Sequence, residues 1–78
     1  MVSQQSLDAF YEGRRSERFP FAVNDSVVVV TGKKPGIGAS VISLEAEAPE
    51  VRYCIEYGDD GSMDIVPVEA LRPYEKPA

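Results

Sequence analysis

The sequence contains no histidine, no tryptophan and a single cysteine, Cys54. Without histidine, the chain cannot build an imidazole general base, a Cys/His or Ser/His nucleophile pair, or the usual zinc site. One cysteine also allows no internal disulfide, which argues against a stapled secreted mini-protein and favours a reducing compartment. We therefore expect a cytoplasmic protein that is not an enzyme, has no cofactor and no metal, and carries an inert thiol.

Long apolar runs are also missing. The longest covers residues 27–30, and the first ten residues have neither a basic start nor an apolar stretch of signal-peptide length. We expect neither a signal peptide nor contact with a membrane. A chain of 78 residues suffices for one small soluble domain with a thin core, which excludes a two-domain enzyme.

Charge is distributed unevenly along the chain. Residues 1–34 contain five basic and four acidic side chains, whereas residues 45–75 contain nine acidic and two basic ones, and the total net charge is −5. Binding to nucleic acid requires clustered Lys and Arg to neutralise phosphates, so this acidic half opposes it. The pattern fits a surface that recognises a basic protein partner, and it fits equally an acidic, solvated face that keeps a small protein soluble.

The N-terminal segment has the spacing of a short amphipathic helix over residues 6–15. Leu7, Phe10 and Tyr11 follow the i, i+3, i+4 pattern, and Ser6 is placed to cap the first turn. Residues 16–25 then form an extended connector. We assign residues 1–23 to this helix and connector, and residues 24–78 to a β-domain that makes a single unit with them.

Short β-branched runs separated by turn residues indicate a small antiparallel sheet. The predicted strands are residues 27–31, 39–47, 51–57, 63–66 and 72–74, with a 3-10 turn at residues 67–71 and a frayed tail at 75–78. The first strand is expected to be covered on both faces. Residues 39–47 alternate like a strand, and Val41, Leu44 and Ala48 also fit a helical stripe. Alternation together with the β-branched Val41 and Ile42 favours the strand, with the helix as the open alternative.

The third run alternates most clearly. Val51, Tyr53, Ile55 and Tyr57 fall on one face of the predicted strand. The following Asp60-Gly61 pair favours a tight hairpin turn.

Five short strands with a 3-10 turn before the last, over residues 24–74, resemble an SH3-like small barrel. The polar turn at residues 24–26, the Val-rich strand and the step Gly36-Ile37-Gly38-Ala39-Ser40-Val41 are similar to KOW-type modules, although Ala39 stands where the second glycine would be. The acidic, mostly β layout also looks like small immunity proteins of bacterial toxin systems. The KOW-type resemblance implies an RNA or ribosome contact through Lys33 and Lys34. The resemblance to immunity proteins implies an inhibitory protein-binding role.

Residues 31–38 resemble the Thr-Gly-x-x-x-Gly-x-Gly cofactor loop of short-chain dehydrogenases, in which Asp59 would bind a ribose. That reading requires further βα units and a Tyr-x-x-x-Lys motif, and Tyr53 is followed four residues later by Tyr57. A dinucleotide-binding fragment is therefore the least favoured function.

The favoured hypothesis is a small protein-binding module, acting as a monomer or weak homodimer, with an acidic, tyrosine-bearing sheet face. Its predicted contact residues are Glu56, Tyr57, Asp59, Asp60, Asp64 and Tyr74. In this interpretation Tyr53 and Ile55 pack inward, while Tyr57 and Tyr74 reach the surface.

Overall fold

The computed structural model describes residues 2–75 and is mainly β. A short helix, α1 (Gln4–Tyr11), precedes one antiparallel sheet of five strands in the order β4-β3-β2-β1-β5. The strands are β1 (Ser26–Val29), β2 (Gly38–Ala46), β3 (Arg52–Tyr57), β4 (Met63–Pro67) and β5 (Leu71–Pro73), and a 3-10 turn (Val68–Ala70) precedes β5. The predicted fold class is confirmed, and this order of elements is the one expected of an SH3-like barrel. The tail predicted to fray, residues 75–78, lies outside the described residues except for Glu75.

Helix α1 is displaced toward the N-terminus relative to the prediction. Ser3, rather than Ser6, caps it, because the Ser3 hydroxyl accepts a hydrogen bond from the Ser6 amide at 3.2 Å. The helix ends at Tyr11, and Gly13 follows with a φ of +79° that closes the last turn. The predicted extension to residue 15 is therefore wrong.

Strand β2 resolves the ambiguity of residues 39–47 in favour of a strand. Its register against β3 shifts between Val41 and Ser43 and again between Leu44 and Ala46. These irregularities bend the strand and keep Val41 and Leu44 buried on the inner side. The predicted first strand, residues 27–31, ends at Val29. Its predicted two-sided cover is only partly present, because Val28 is half-buried and Val30, which follows the strand, is exposed.

Strand β3 follows the predicted alternation: Tyr53, Ile55 and Tyr57 are in the core, as is Val51 just before the strand. Tyr57 is only 2% exposed, so the prediction that it reaches the surface is wrong. Inward alternation along the strand determined its side, whereas the sequence interpretation relied on the tendency of tyrosine to occupy interfaces.

Tyr53 joins the helix to the sheet. Its ring packs against Phe10 of α1 at 6.1 Å and against Phe21 of the connector at 5.8 Å between centroids. The Tyr53 hydroxyl donates to the carbonyl of Phe21 at 3.2 Å, so the one polar atom of this ring is satisfied. The helix, connector and sheet therefore share one core. Within residues 2–75, no helix has the length and apolar character needed to cross a membrane.

Candidate functional site

Two loops at one end of the sheet are joined by Lys34. Its ammonium lies 3.2 Å from an Asp59 oxygen and 2.6 Å from an Asp60 oxygen, and 4.9 Å from the centre of the Tyr57 ring. We call Lys34, Tyr57, Asp59 and Asp60 the loop clamp. It connects the β1–β2 loop to the β3–β4 loop.

The electrostatics of the loop clamp are mutually reinforcing. The hydrogen bond to Asp60 raises the pKa of Lys34, and the same bond, with help from Ser62, holds the pKa of Asp60 well below its usual range. Both groups are therefore charged at neutral pH. Two of the predicted contact carboxylates are thus already occupied by a cation of the same chain.

Asp64 also has an internal role. One of its oxygens accepts the Tyr57 hydroxyl at 3.0 Å, and the other accepts the backbone amide of Ile65 at 2.9 Å. Burial raises the pKa of Tyr57, and the bond to the Asp64 carboxylate raises it further. Asp64 is half-buried and supports Tyr57, instead of standing free at the surface.

The outward side of β3 and β4 carries the most exposed apolar side chains of the sheet. Cys54 is paired across the hairpin with Ile65, and Glu56 with Met63; we call these four residues the hairpin face. Met63 is 63% exposed and Ile65 49% exposed. Neither residue is among the contact residues predicted from the sequence. The signal was present, because alternation with the inward Val66 places both on the opposite side of β4.

The thiol of Cys54 is half-buried and lies near two carboxylates. Burial raises the pKa of Cys54, and the nearby Glu45 and Asp64 carboxylates raise it further. A thiol held in its neutral form is a poor nucleophile. The outer side of the hairpin therefore combines apolar surface with negative potential.

A cavity of about 410 Å³ lies on the outer side of the sheet, next to the loop clamp. Small residues line much of it, among them Ser26, Gly38 and Ser40, and Asp59 and Tyr74 line it as well. We call it the Tyr74 cavity. Gly58 also lines it; its amide donates to the Gly38 carbonyl at 2.8 Å, and a Cβ at Gly58 would lie 3.1 Å from that oxygen.

The predicted contact residues are therefore brought into one region but in different roles. Tyr57, Asp60 and Asp64 take part in internal contacts, while Glu56 and Tyr74 are exposed, and Asp59 contributes both to the loop clamp and to the Tyr74 cavity. Of the alternative contacts, Lys33 is exposed and Lys34 is paired.

The glycine loop at residues 31–38 does not have the setting of a dinucleotide site. It joins two antiparallel neighbours, β1 and β2, and a strand follows it. Pyrophosphate binding in that motif depends on the N-terminus of a following helix. Within residues 2–75 there is also no group of three or more Cys, Asp or Glu side chains placed to hold a metal ion.

Comparison with protein-family models, with curated proteins and with solved structures gave no match to this chain. The KOW-type and immunity-protein resemblances therefore remain predictions.

Proposed function

We propose that the chain is a non-enzymatic module that binds a basic partner protein through the hairpin face. The observation that carries this proposal is the adjacent exposure of Met63 and Ile65 on an edge strand. Exposed apolar side chains grouped together and rimmed by charge are typical of interaction sites. An inhibitory role against a basic protein is one form of this function.

The sign of the surrounding charge supports a basic partner. Glu56 stands between Met63 and Ser40 in the outward row, and Glu45 and Asp64 act on Cys54 from either side. A basic partner would be steered by this potential and would then bury the two apolar side chains. Association should therefore slow as ionic strength rises.

A nucleic-acid contact through Lys33 and Lys34 has weaker support. The Lys34 ammonium already contacts two carboxylates, so a phosphate would have to displace Asp59 or Asp60 and approach the other. That leaves Lys33 as the one exposed lysine of this loop, which is little for a binding mode that depends on several phosphate contacts.

Photo-crosslinking from the hairpin face tests the proposal. With Met63 replaced by p-benzoylphenylalanine in the source cells, we expect one discrete adduct with a basic protein. Adding Glu56→Lys should lower its yield about fivefold or more, because the reversed charge repels the partner. The same photoreactive residue in place of Tyr11, which is comparably exposed on α1, is the control and should not give this adduct.

The adduct protein is then purified and its affinity for the unmodified chain is measured. A dissociation constant that does not change with Glu56→Lys would contradict the proposal, as would identical adducts from positions 11 and 63. Absence of any discrete adduct from position 63 would contradict it as well.

A further inference from the structure

The outward side of the sheet carries a continuous row of side chains that links the hairpin face to the Tyr74 cavity. Strand register pairs Ser26 with Ser40, Ser40 with Glu56, and Glu56 with Met63. At the other end of the row, the Tyr74 amide donates to the Ser26 carbonyl at 3.0 Å. In order, the row therefore consists of one aromatic residue, two serines, one glutamate and one methionine: Tyr74, Ser26, Ser40, Glu56 and Met63.

The small residues explain why the cavity exists at this place. Four of the residues that line the depression, Ser26, Gly38, Ser40 and Gly58, have little or no side chain, whereas Ile37, Asp59 and Tyr74 carry larger ones. Tyr74 is 48% exposed. The result is a depression of about 410 Å³ with room for one long side chain and part of its neighbour.

The chemistry around the depression is that of a site for a cation on a long stem. Ile37 and Tyr74 supply apolar and aromatic surface, and Asp59 supplies a carboxylate. Asp59 accepts from Lys34 at 3.2 and 3.4 Å, but a carboxylate has about four acceptor positions and can bind a second donor. Glu56, next in the row after Ser40, adds another negative charge.

We propose that the Tyr74 cavity binds an arginine side chain of the partner. A guanidinium is planar and weakly hydrated, stacks on an aromatic ring and donates to carboxylates in a fixed fork, whereas a lysine ammonium is a strongly hydrated point charge. The aliphatic stem of the arginine covers the small residues that line the cavity. This inference deepens the proposed function and rests on it in one respect, namely that the partner is a basic protein.

A titration with short peptides tests the cavity without knowledge of the partner. The full chain, labelled with ¹⁵N, is titrated with acetyl-Gly-Arg-Gly-amide and with its neutral isostere, in which citrulline replaces arginine. We expect saturable shifts of the Gly38, Ser40 and Gly58 amides, with a dissociation constant in the millimolar range suited to a single side chain. The citrulline peptide should bind at least about fivefold more weakly, because it lacks the charge.

Three variants locate the binding. Tyr74→Leu and Asp59→Asn should each weaken the arginine peptide by about threefold or more, since one loses the ring and the other the carboxylate charge. Glu69→Gln removes an exposed carboxylate from the 3-10 turn and is the matched control, which should bind like the unmodified chain. Unshifted amide peaks elsewhere will show that each variant is folded.

Several results would overturn the inference. They are equal binding of the arginine and citrulline peptides, equal weakening by Glu69→Gln and Asp59→Asn, and equal binding of a third peptide in which lysine replaces arginine. The first result would mean that the charge of the side chain does not matter. The second would mean that the position of the carboxylate does not matter, and the third would remove the preference for a planar cation.

The two experiments distinguish a wrong assignment of the cavity from a wrong proposed function. If the arginine peptide does not bind but crosslinking from position 63 remains sensitive to Glu56→Lys, only the cavity assignment is wrong. If the peptide binds and position 63 gives no adduct, the cavity stands and the hairpin face is not the docking surface.

Discussion

At the scale of single residues, Asp25 shows how one carboxylate can organise the entry to the sheet. It accepts the Ala22 amide at 2.8 Å and the Arg15 side-chain Nε at 3.0 Å. The bond to Arg15 lowers the pKa of Asp25 below its usual value. The folded state therefore holds this proton less tightly than the unfolded chain does.

Asp25→Asn should lower the free energy of unfolding at pH 6 by roughly 1 kcal/mol, because the charged hydrogen bond is lost. A carboxylate with a lowered folded-state pKa stabilises above its unfolded pKa of about 3.9 and loses that effect as pH falls through the folded value. The difference between Asp25→Asn and the unmodified chain should thus shrink below about pH 4. Urea unfolding at pH 2.5 to 6 measures this difference.

Glu17→Gln, at an exposed site of the connector, is the control and should change the free energy of unfolding little at any pH. A pH-independent difference for Asp25→Asn would contradict the role assigned to the Asp25 charge.

Single residues also show where sequence reasoning worked and where it failed. The inward side of β3 could be predicted because alternation is a local property of a strand. The role of Lys34 could not, because its carboxylate partners are 25 and 26 residues away and meet it only after β1, β2 and β3 have paired. Asp59 and Asp60 were therefore expected to be free for a partner, when one lysine of the chain already binds both.

At the scale of elements, the loop clamp joins two loops that have no strand pairing with each other. Lys34→Met should release Asp59 and Asp60 while keeping the length of the side chain. We expect amide exchange of Gly61 and Ser62 to accelerate severalfold, because their turn is no longer tied to the β1–β2 loop. Lys33→Met is the matched control and should leave these amides unchanged.

Salt offers a second check on the loop clamp, since exposed ion pairs are screened at high ionic strength. Exchange of the same amides in the unmodified chain should rise with added salt, and the effect should be absent in Lys34→Met. Equal exchange in Lys33→Met and Lys34→Met would show that the ion pairs do not hold the loops.

Strand β4 is an edge of the sheet, and Asp64 protects it. The Asp64 carboxylate accepts the Ile65 amide, and Pro67 has no amide hydrogen, so two positions on this edge offer no free donor to another strand. Asp64→Ala should free the Ile65 amide beside exposed apolar side chains. We expect concentration-dependent dimerisation, measured by sedimentation, through pairing of two β4 strands.

The matched control for Asp64→Ala is Tyr57→Phe. Both variants remove the bond between the Tyr57 hydroxyl and Asp64, but Tyr57→Phe keeps the carboxylate on the Ile65 amide. Tyr57→Phe should therefore behave like the unmodified chain in sedimentation. Dimerisation of both variants to the same extent would assign the effect to the lost tyrosine bond instead of the freed edge.

Element boundaries mark another limit of the sequence. Ser3 and Ser6 can each cap a helix. In the structure Ser3 is the cap, and the Ser6 hydroxyl instead donates to Glu47, just after β2, at 2.6 Å. Similarly, the alternation of residues 39–47 did not exclude a helix until pairing of β2 with both β1 and β3 was known. Local patterns predicted the type and order of the elements, and long-range pairing determined their ends.

At the scale of the whole molecule, the question is whether the helix belongs to the same cooperative unit as the sheet. Phe10 is buried against Tyr53, and a domain of this size has a total stability of roughly 4–12 kcal/mol. Truncating a buried phenylalanine costs about 3–5 kcal/mol. The cost of truncating this one side chain of α1 is therefore a large part of the total stability of the chain.

Phe10→Ala should lower the midpoint of thermal unfolding by about 12 °C or more, since 1 kcal/mol corresponds to about 4–8 °C in small domains. Tyr11→Ala, at the exposed neighbouring position, should lower it far less. Calorimetry should show a single transition in both, because the Tyr53 ring contacts α1, the connector and the sheet core together. If Phe10→Ala costs no more than Tyr11→Ala, the sheet folds without the helix and residues 2–23 are an appendage.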